Sequence, residues 1–303
     1  MLALPYQWQM RVERLKRMFG GIFGKGERRP QLCPACGALV GISATRCHEC
    51  GANLRFGLAA WSKGLSEFFG GHAPVTMVLL VVNIVMFAAE LMGTMHAGKA
   101  GGLSILWGTD IETTYRLGSS SGYAVLVLHQ WYRLVTAMFL HGGLIHIGFN
   151  MIVLLDLGPV VEELYGSARY LFIYIFTGVV GFALSMLFHP ALGASGALMG
   201  LIGVLIAATT KRGSLEAKAL RSRLISWALT VFLLGFFIGA DNVAHFGGLA
   251  TGFVLGKVME DRQPMNPRER NQAYLLGWLA GLVTLASFVV MFVHYGDRTP
   301  WAH

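Results

Sequence analysis

The chain runs to 303 residues, 54% of them hydrophobic and only 13% charged. That composition excludes an ordinary soluble globular protein and points to a polytopic helical membrane protein. The net charge of +8 sits in a few segments flanking apolar runs, so it reports topology and not a phosphate-binding surface for nucleic acid.

Residues 1–29 form a basic amphipathic N-terminal segment. Trp8, Val12, Leu15 and Phe19 recur at helical spacing, with Arg11, Arg14, Lys16 and Arg17 between them. Such a helix either lies on anionic lipid or packs on the protein's own soluble part. No apolar run leads to a small-residue cleavage site, so no cleavable signal peptide is expected. Residues 30–55 contain all four cysteines, as Cys33-Pro-Ala-Cys36-Gly37 and Cys47-His-Glu-Cys50-Gly51. Four thiolates in two matched Cys-x-x-Cys knuckles favour a tetrahedral structural Zn²⁺, which would supply the folding energy of so short a segment. The pattern resembles a zinc ribbon with a short gap between its pairs. The other readings are a redox dithiol, or His48 replacing one cysteine ligand. Residues 56–73 read as a glycine-containing linker.

Apolar runs then predict seven spans, at about 74–92, 143–160, 168–188, 195–210, 223–239, 242–259 and 273–294. Segment 93–130 is too apolar for a plain solvent loop and too often interrupted to span, so it is expected to lie partly embedded at the membrane surface. Residues 1–73 hold ten Lys/Arg against four Asp/Glu, and the 211–223 and 257–270 connections are also basic. The positive-inside rule makes all three cytoplasmic, with the C-terminus outside. Ser195 then lies at the outer end of the fourth span and His245 at the outer end of the sixth, at one depth.

The second span opens His141-Gly-Gly-Leu-Ile-His146-Ile-Gly-Phe-Asn150, which puts His146 and Asn150 on one helix face. Polar groups inside spans are expensive, and four at one depth point to a site. Gly196 and Gly200 below Ser195, and Gly248, Gly252 and Gly256 below His245, form small-residue faces that let two helices approach closely. Docking those faces would place Ser195 against His245 as nucleophile and general base. The Ser195 N–H at a helix N-terminus, the Asn150 amide and the His146 imidazole could stabilise an oxyanion. Asp241, near the surface, reads as a cap or loop residue, or as an orienting partner of His245. His141 reads as ordering a loop, and His189 and His294 as interfacial. Read singly, Ser195 could be a packing residue and the others interhelical glue.

Gly193-Ala194-Ser195-Gly196, the His141…His146…Asn150 run, and Ala244-His245-Phe246-Gly247-Gly248 continuing to Gly252 resemble the rhomboid intramembrane serine proteases. Trp131-Tyr132-Arg133-Leu134 and Glu162-x-x-x-Gly166 with Arg169 are similar to further family motifs. The resemblance covers about residues 74–259, which it implies to be the protease core. Residues 260–303 then hold a seventh transmembrane helix and a tail. The resulting fold class is an all-α polytopic membrane protein: a rhomboid-like six-helix core and a seventh helix, preceded by a small cytoplasmic zinc ribbon.

The resemblance implies a water-filled cavity open to the outside, a Ser195–His245 dyad, and an oxyanion site using Asn150 and His146. It implies transmembrane proteins as substrates, cut near small residues at the outer side of the bilayer. Membrane lipid, and a cytoplasmic protein at the zinc ribbon, are the other expected partners. A bacterial chain would sit in the plasma membrane. Family members commonly carry an aromatic four residues after the serine, packed on the histidine; here that residue is Met199. A non-catalytic, client-binding pseudoprotease is the alternative, disfavoured by the intact Ser195 and His245. A transporter would require internal repeats that the sequence lacks.

Overall fold

A computed structural model describes residues 31–33, 39–41, 44–49, 73–99 and 104–296. The amphipathic segment 1–29, the linker 56–73 except for its last residue, and two of the four expected ligands, Cys36 and Cys50, lie outside the described residues. Ahead of the helices, β1 (Gln31–Leu32) and β2 (Leu39–Val40) pair antiparallel, with Gln31 opposite Val40. Cys33, Val40 and Cys47 are buried together in a small cluster.

The helices are α1 (Pro74–His96), α2 (Ser104–Trp107), α3 (Ile111–Arg116), α4 (Arg133–Thr136), α5 (Leu144–Tyr165), α6 (Ser167–Ser185), α7 (Ser195–Thr210), α8 (Leu215–Ile238), α9 (Asn242–Val258) and α10 (Pro267–His294). Five of them, α1, α5, α6, α8 and α10, are long and apolar enough to cross a membrane. The segment between α1 and α5 is a chain of short pieces: α2, α3, a π-helical turn at Tyr123–Val127, α4, and a 3₁₀ turn at Ala137–Phe139.

Two helices start earlier than the apolar runs indicate. α8 begins at Leu215 and not at 223, capped by Ser214 Oγ, which accepts from Ala217 N–H. α10 begins at Pro267 and not at 273, capped by Asn266 Oδ1, which accepts from Glu269 N–H at 2.9 Å. Their first turns are polar and charged, so hydropathy detects only the later, lipid-compatible part of each helix. α1 likewise runs on to His96, past the end of its apolar run.

α7 is the centre. Every residue in it is buried except Ser195, Ile206 and Thr210. α6, α8 and α9 pack around it, with α5 on another side. Its closest neighbour is α9. A Cβ added at Gly252 would lie 2.7 Å from the Gly200 carbonyl carbon and 2.8 Å from its Cα, and one at Gly248 would strike the Gly196 carbonyl. The two glycine faces therefore meet backbone to backbone, the arrangement that small residues at four-residue spacing permit. α8, by contrast, buries only Ala217, Leu224, Ala228 and Gly235 and turns most of its surface outward.

Buried polar groups fasten the periphery. The N-terminus of α1 has no side-chain cap of its own. Glu162 of α5 supplies one, accepting from Val75 N–H and Thr76 N–H at 2.9 Å each, from Thr76 Oγ at 2.8 Å and from Ser167 Oγ at 2.6 Å. A carboxylate there satisfies orphan N–H groups and complements the helix dipole. Arg133, 3% exposed, donates to Tyr115 O at 2.6 Å and Ser119 O at 3.0 Å, pinning the segment before α5. At the end of the bundle opposite Ser195, Arg212 pairs with Asp261, Arg169 donates to Arg262 O, and Gln263 donates to Glu163 O. The basic connections after α7 and after α9 thus meet on one side, as their shared charge implies.

Gly252→Val is expected to force α7 and α9 apart. Overpacking of this kind costs about 1–3 kcal/mol or more. Thermal unfolding in detergent should show a clear loss for Gly252→Val. Gly281→Ala should be near neutral, since its Cβ would find its nearest neighbour, Leu171 Cδ2, at 3.9 Å.

Candidate active site

Ser195 is the first residue of α7. Gly193, two residues earlier, has φ +127°, a conformation that a side chain would strain. The chain before Ser195 is fastened twice. Ser120 and Ala191 exchange backbone hydrogen bonds of 2.9 Å, and Gly193 N–H donates to Ala137 O at 2.9 Å. The first N–H groups of α7 have no acceptor within the helix, and the dipole there is positive.

His245 lies in the first turn of α9, 3% exposed. The docked glycine faces bring its Nε2 within 2.8 Å of Ser195 Oγ, so the hydroxyl is placed to donate to the imidazole. On the far side of the ring, Nδ1 is 3.4 Å from Asn242 Oδ1. Asn242 Nδ2 donates to Phe232 O of α8 at 3.1 Å, which turns the amide oxygen toward the ring. A proton on Nδ1 donates to that oxygen and leaves Nε2 to accept from the serine. The ring that meets His245 is Phe232, edge-on with centroids 6.2 Å apart. Met199, at the position considered for an aromatic, is buried within α7.

His146 and Asn150, one turn apart on α5, face the same point. A Cβ at Gly193 would lie 2.8 Å from His146 Nε2 and 3.8 Å from Asn150 Nδ2. Only a glycine lets the chain pass so close. Gly142 N–H donates to His146 Nδ1 at 3.2 Å, which assigns the proton of a neutral ring to Nε2, the nitrogen nearest Gly193. Asn150 Nδ2 is buried without a hydrogen-bond partner among the described residues. A buried unpaired donor is uncommon and suits a group that appears only during reaction.

The remaining expected residues fall around this centre. Asp241 caps α9, its carboxylate accepting from Ala244 N–H at 2.9 Å and from the Ser185 hydroxyl. His141 packs its ring edge-on to His146, centroids 5.1 Å apart. His189 is exposed, 3.7 Å from Asp241. His294 is stacked on Tyr132, with ring planes 6° apart, a contact that an interfacial reading does not foresee.

Two site residues escape the sequence reading. Asn242 carries a readable signal, because it precedes His245 by three residues and so shares its helix face. Glu90 is the other. It is fully buried in α1, and both carboxylate oxygens accept from His141 N–H, at 3.1 and 2.9 Å, setting the loop ahead of α5. A lone acid inside an apolar run needs a partner, and that is its signal.

A Rhomboid domain family model matches residues 128–262. The chain is 30% identical over 236 residues to rhomboid protease GluP of Bacillus subtilis, covering 77% of this chain and 42% of that protein. It is 34% identical over 158 residues to the mitochondrial RHOMBOID-like protein 6 of Arabidopsis thaliana, covering 50% and 51%. It is 32% identical over 188 residues to YdcA, a rhomboid-type protein of Bacillus subtilis, covering 60% and 86%. The chain thus spans about half the length of GluP and of the Arabidopsis protein, and most of YdcA.

Replacing Asn150 with Ala should slow the reaction of Ser195 with a fluorophosphonate on the order of a hundredfold, the effect of deleting one oxyanion donor. Asn242→Ala should slow it less, on the order of tenfold, through misplacement of the imidazole. Asn242→Asp, which keeps an acceptor beside Nδ1, should react faster than Asn242→Ala.

Proposed function

The chain belongs to the rhomboid family, and from that premise we propose that it is an intramembrane serine endopeptidase that cleaves transmembrane segments of other proteins. It is an integral, multi-pass membrane protein, with several helices long and apolar enough to cross. The observation that carries the reading is the 2.8 Å approach of Ser195 Oγ to His245 Nε2 at the N-terminus of α7, the central helix of the bundle.

The reaction runs through a Ser-His dyad. Ser195 Oγ attacks the scissile carbonyl carbon while His245 Nε2 takes the hydroxyl proton. The carbonyl oxygen becomes an oxyanion, and the Ser195 N–H, Asn150 Nδ2 and His146 Nε2–H donate to it. His245 gives its proton to the leaving amine as the C–N bond breaks, which leaves an acyl-enzyme on Ser195. Water, deprotonated by His245, attacks the acyl carbon; the ester C–O bond breaks as His245 returns that proton to Ser195 Oγ, releasing the new carboxylate and the serine hydroxyl. Asn242 holds the imidazole in the tautomer that the first step needs.

The seven helices at the expected positions all cross the bilayer, α7 and α9 among them. Their shortness keeps Ser195 and His245 below the surface, and the segment before α5 lies partly embedded. The basic connections face the cytoplasm with the N-terminus, the C-terminus is outside, and cleavage occurs near the outer side. Cys33, Cys36, Cys47 and Cys50 would hold a structural Zn²⁺. Burial of Cys33 and Cys47 in one small cluster beside the paired strands supports this, since thiols gathered in a small core suit a metal that supplies folding energy. The ribbon offers a surface for a cytoplasmic protein.

Two measurements follow. In proteoliposomes, wild type should cut a co-reconstituted transmembrane substrate, and Ser195→Ala should not; binding of clients without any cleavage by wild type would favour the non-catalytic reading. Cys33→Ser should lose bound zinc and become protease-sensitive over residues 30–55, yet retain cleavage within about twofold. Complete loss of cleavage by a correctly inserted Cys33→Ser would contradict the separation of ribbon from site.

A further inference from the structure

Resting on the catalytic reading above, we propose that α10 positions the active site: Phe288 and Met291 brace the two stretches of chain, 115–121 and 132–139, that hold Ala191–Gly193 ahead of Ser195. α10 lies beyond the segment that the family model matches.

α10 turns a single stripe inward, of which Ala273, Ala280, Ser287 and Met291 are the buried members. The lower part of that stripe packs on α6, where a Cβ at Gly277 would lie 2.9 Å from Ala168 Cβ. A helix that served only to anchor the chain would need no more than this.

The upper part reaches elsewhere. The Phe288 ring meets Phe139 with centroids 5.3 Å apart, and Phe139 is itself almost fully buried. Met291 is fully buried, its Cγ 3.5 Å from where a Cβ on Gly118 would stand. Gly118 is also where the two stretches join, since its carbonyl accepts from Thr136 Oγ at 2.8 Å. At the helix end, the His294 ring stacks on Tyr132, and Arg116 donates to Tyr295 O at 3.3 Å.

Both braced stretches lead to the serine. Ser120 is doubly bonded to Ala191, and Ala137, two residues before Phe139, accepts from Gly193 N–H. Gly193 is the residue pressed against His146 and beside Asn150. A shift of the Ala137–Phe139 turn therefore moves the segment Ala191–Gly193, which aligns Ser195 with its oxyanion donors. A displacement of about 1 Å is enough to cost a large factor in turnover without weakening substrate binding. Phe288, Met291 and His294 are positioning residues on this account, since none touches substrate or the reacting atoms.

The test is a kcat and KM comparison of full-length variants on one transmembrane substrate in proteoliposomes, with thermal unfolding recorded alongside. Phe288→Ala should lower kcat on the order of tenfold with KM within about twofold. Phe288→Leu, which refills the space, should recover most of kcat. Leu285→Ala, on the exposed face of the same helix, should leave both constants unchanged. A folded Phe288→Ala with wild-type kcat, or one whose loss lies in KM alone, overturns the proposal. Should Phe288→Ala fail to fold, His294→Ala removes the stack on Tyr132 and serves the same comparison; an unchanged kcat there overturns it equally. A wild type that shows no Ser195-dependent cleavage removes the catalytic reading and this inference with it, whereas an active wild type with indifferent α10 variants removes the inference alone.

Discussion

The structure depends on the backbone contact between α7 and α9. In lipid there is no hydrophobic drive to press one apolar helix on another, so close packing and buried hydrogen bonds must hold them. Gly196 and Gly200 present bare backbone, and Gly248 and Gly252 meet it. Because the contact lies directly beneath Ser195 and His245, it also sets the distance between them. One packing device fixes both the centre of the bundle and the geometry of its chemistry.

Around that contact, ionisable side chains inside the protein serve to shape chain ends. Glu162 caps α1 from another helix, Glu90 holds the His141 backbone, and Arg133 gathers the carbonyls of the segment before α5. Each is buried and each has its partners, which is the condition for keeping a charged or polar side chain away from water. Among the described residues the Asn150 amide donor is one of several buried polar atoms without a partner, His141 Nδ1 and Nε2 and Ser120 Oγ among the others, and it is the one that lies beside Gly193.

The sequence disclosed the parts that follow periodicity and composition. Apolar runs located the long helices, and glycines at four-residue spacing located the face where α7 meets α9. Ser195, His245, His146 and Asn150 were legible because polar residues at one inferred depth are costly to leave unexplained. The rest required contacts remote in sequence. Nothing local to Glu90 says that it bonds to a residue 51 positions later, although its isolation in an apolar run invites the question. Asn242 resembles a helix-start residue in sequence, and only the Phe232 carbonyl of α8 reveals which way its amide faces. The polar first turns of α8 and α10 escaped hydropathy because they are helical without being apolar. The reach of α10 toward Tyr132 and Phe139 depends on how the segment before α5 folds, which composition does not determine.

Activation of Ser195 by His245 within the helical bundle is the step on which the proposed cleavage depends. The most direct measurement exposes membranes carrying wild type, Ser195→Ala or His245→Ala to a fluorophosphonate and maps any adduct by mass spectrometry. The expected result is an adduct on Ser195 of wild type and none on either variant. Labelling of His245→Ala at the wild-type rate would contradict it. So would a folded wild type that stays unlabelled although the reagent demonstrably reaches Ser195.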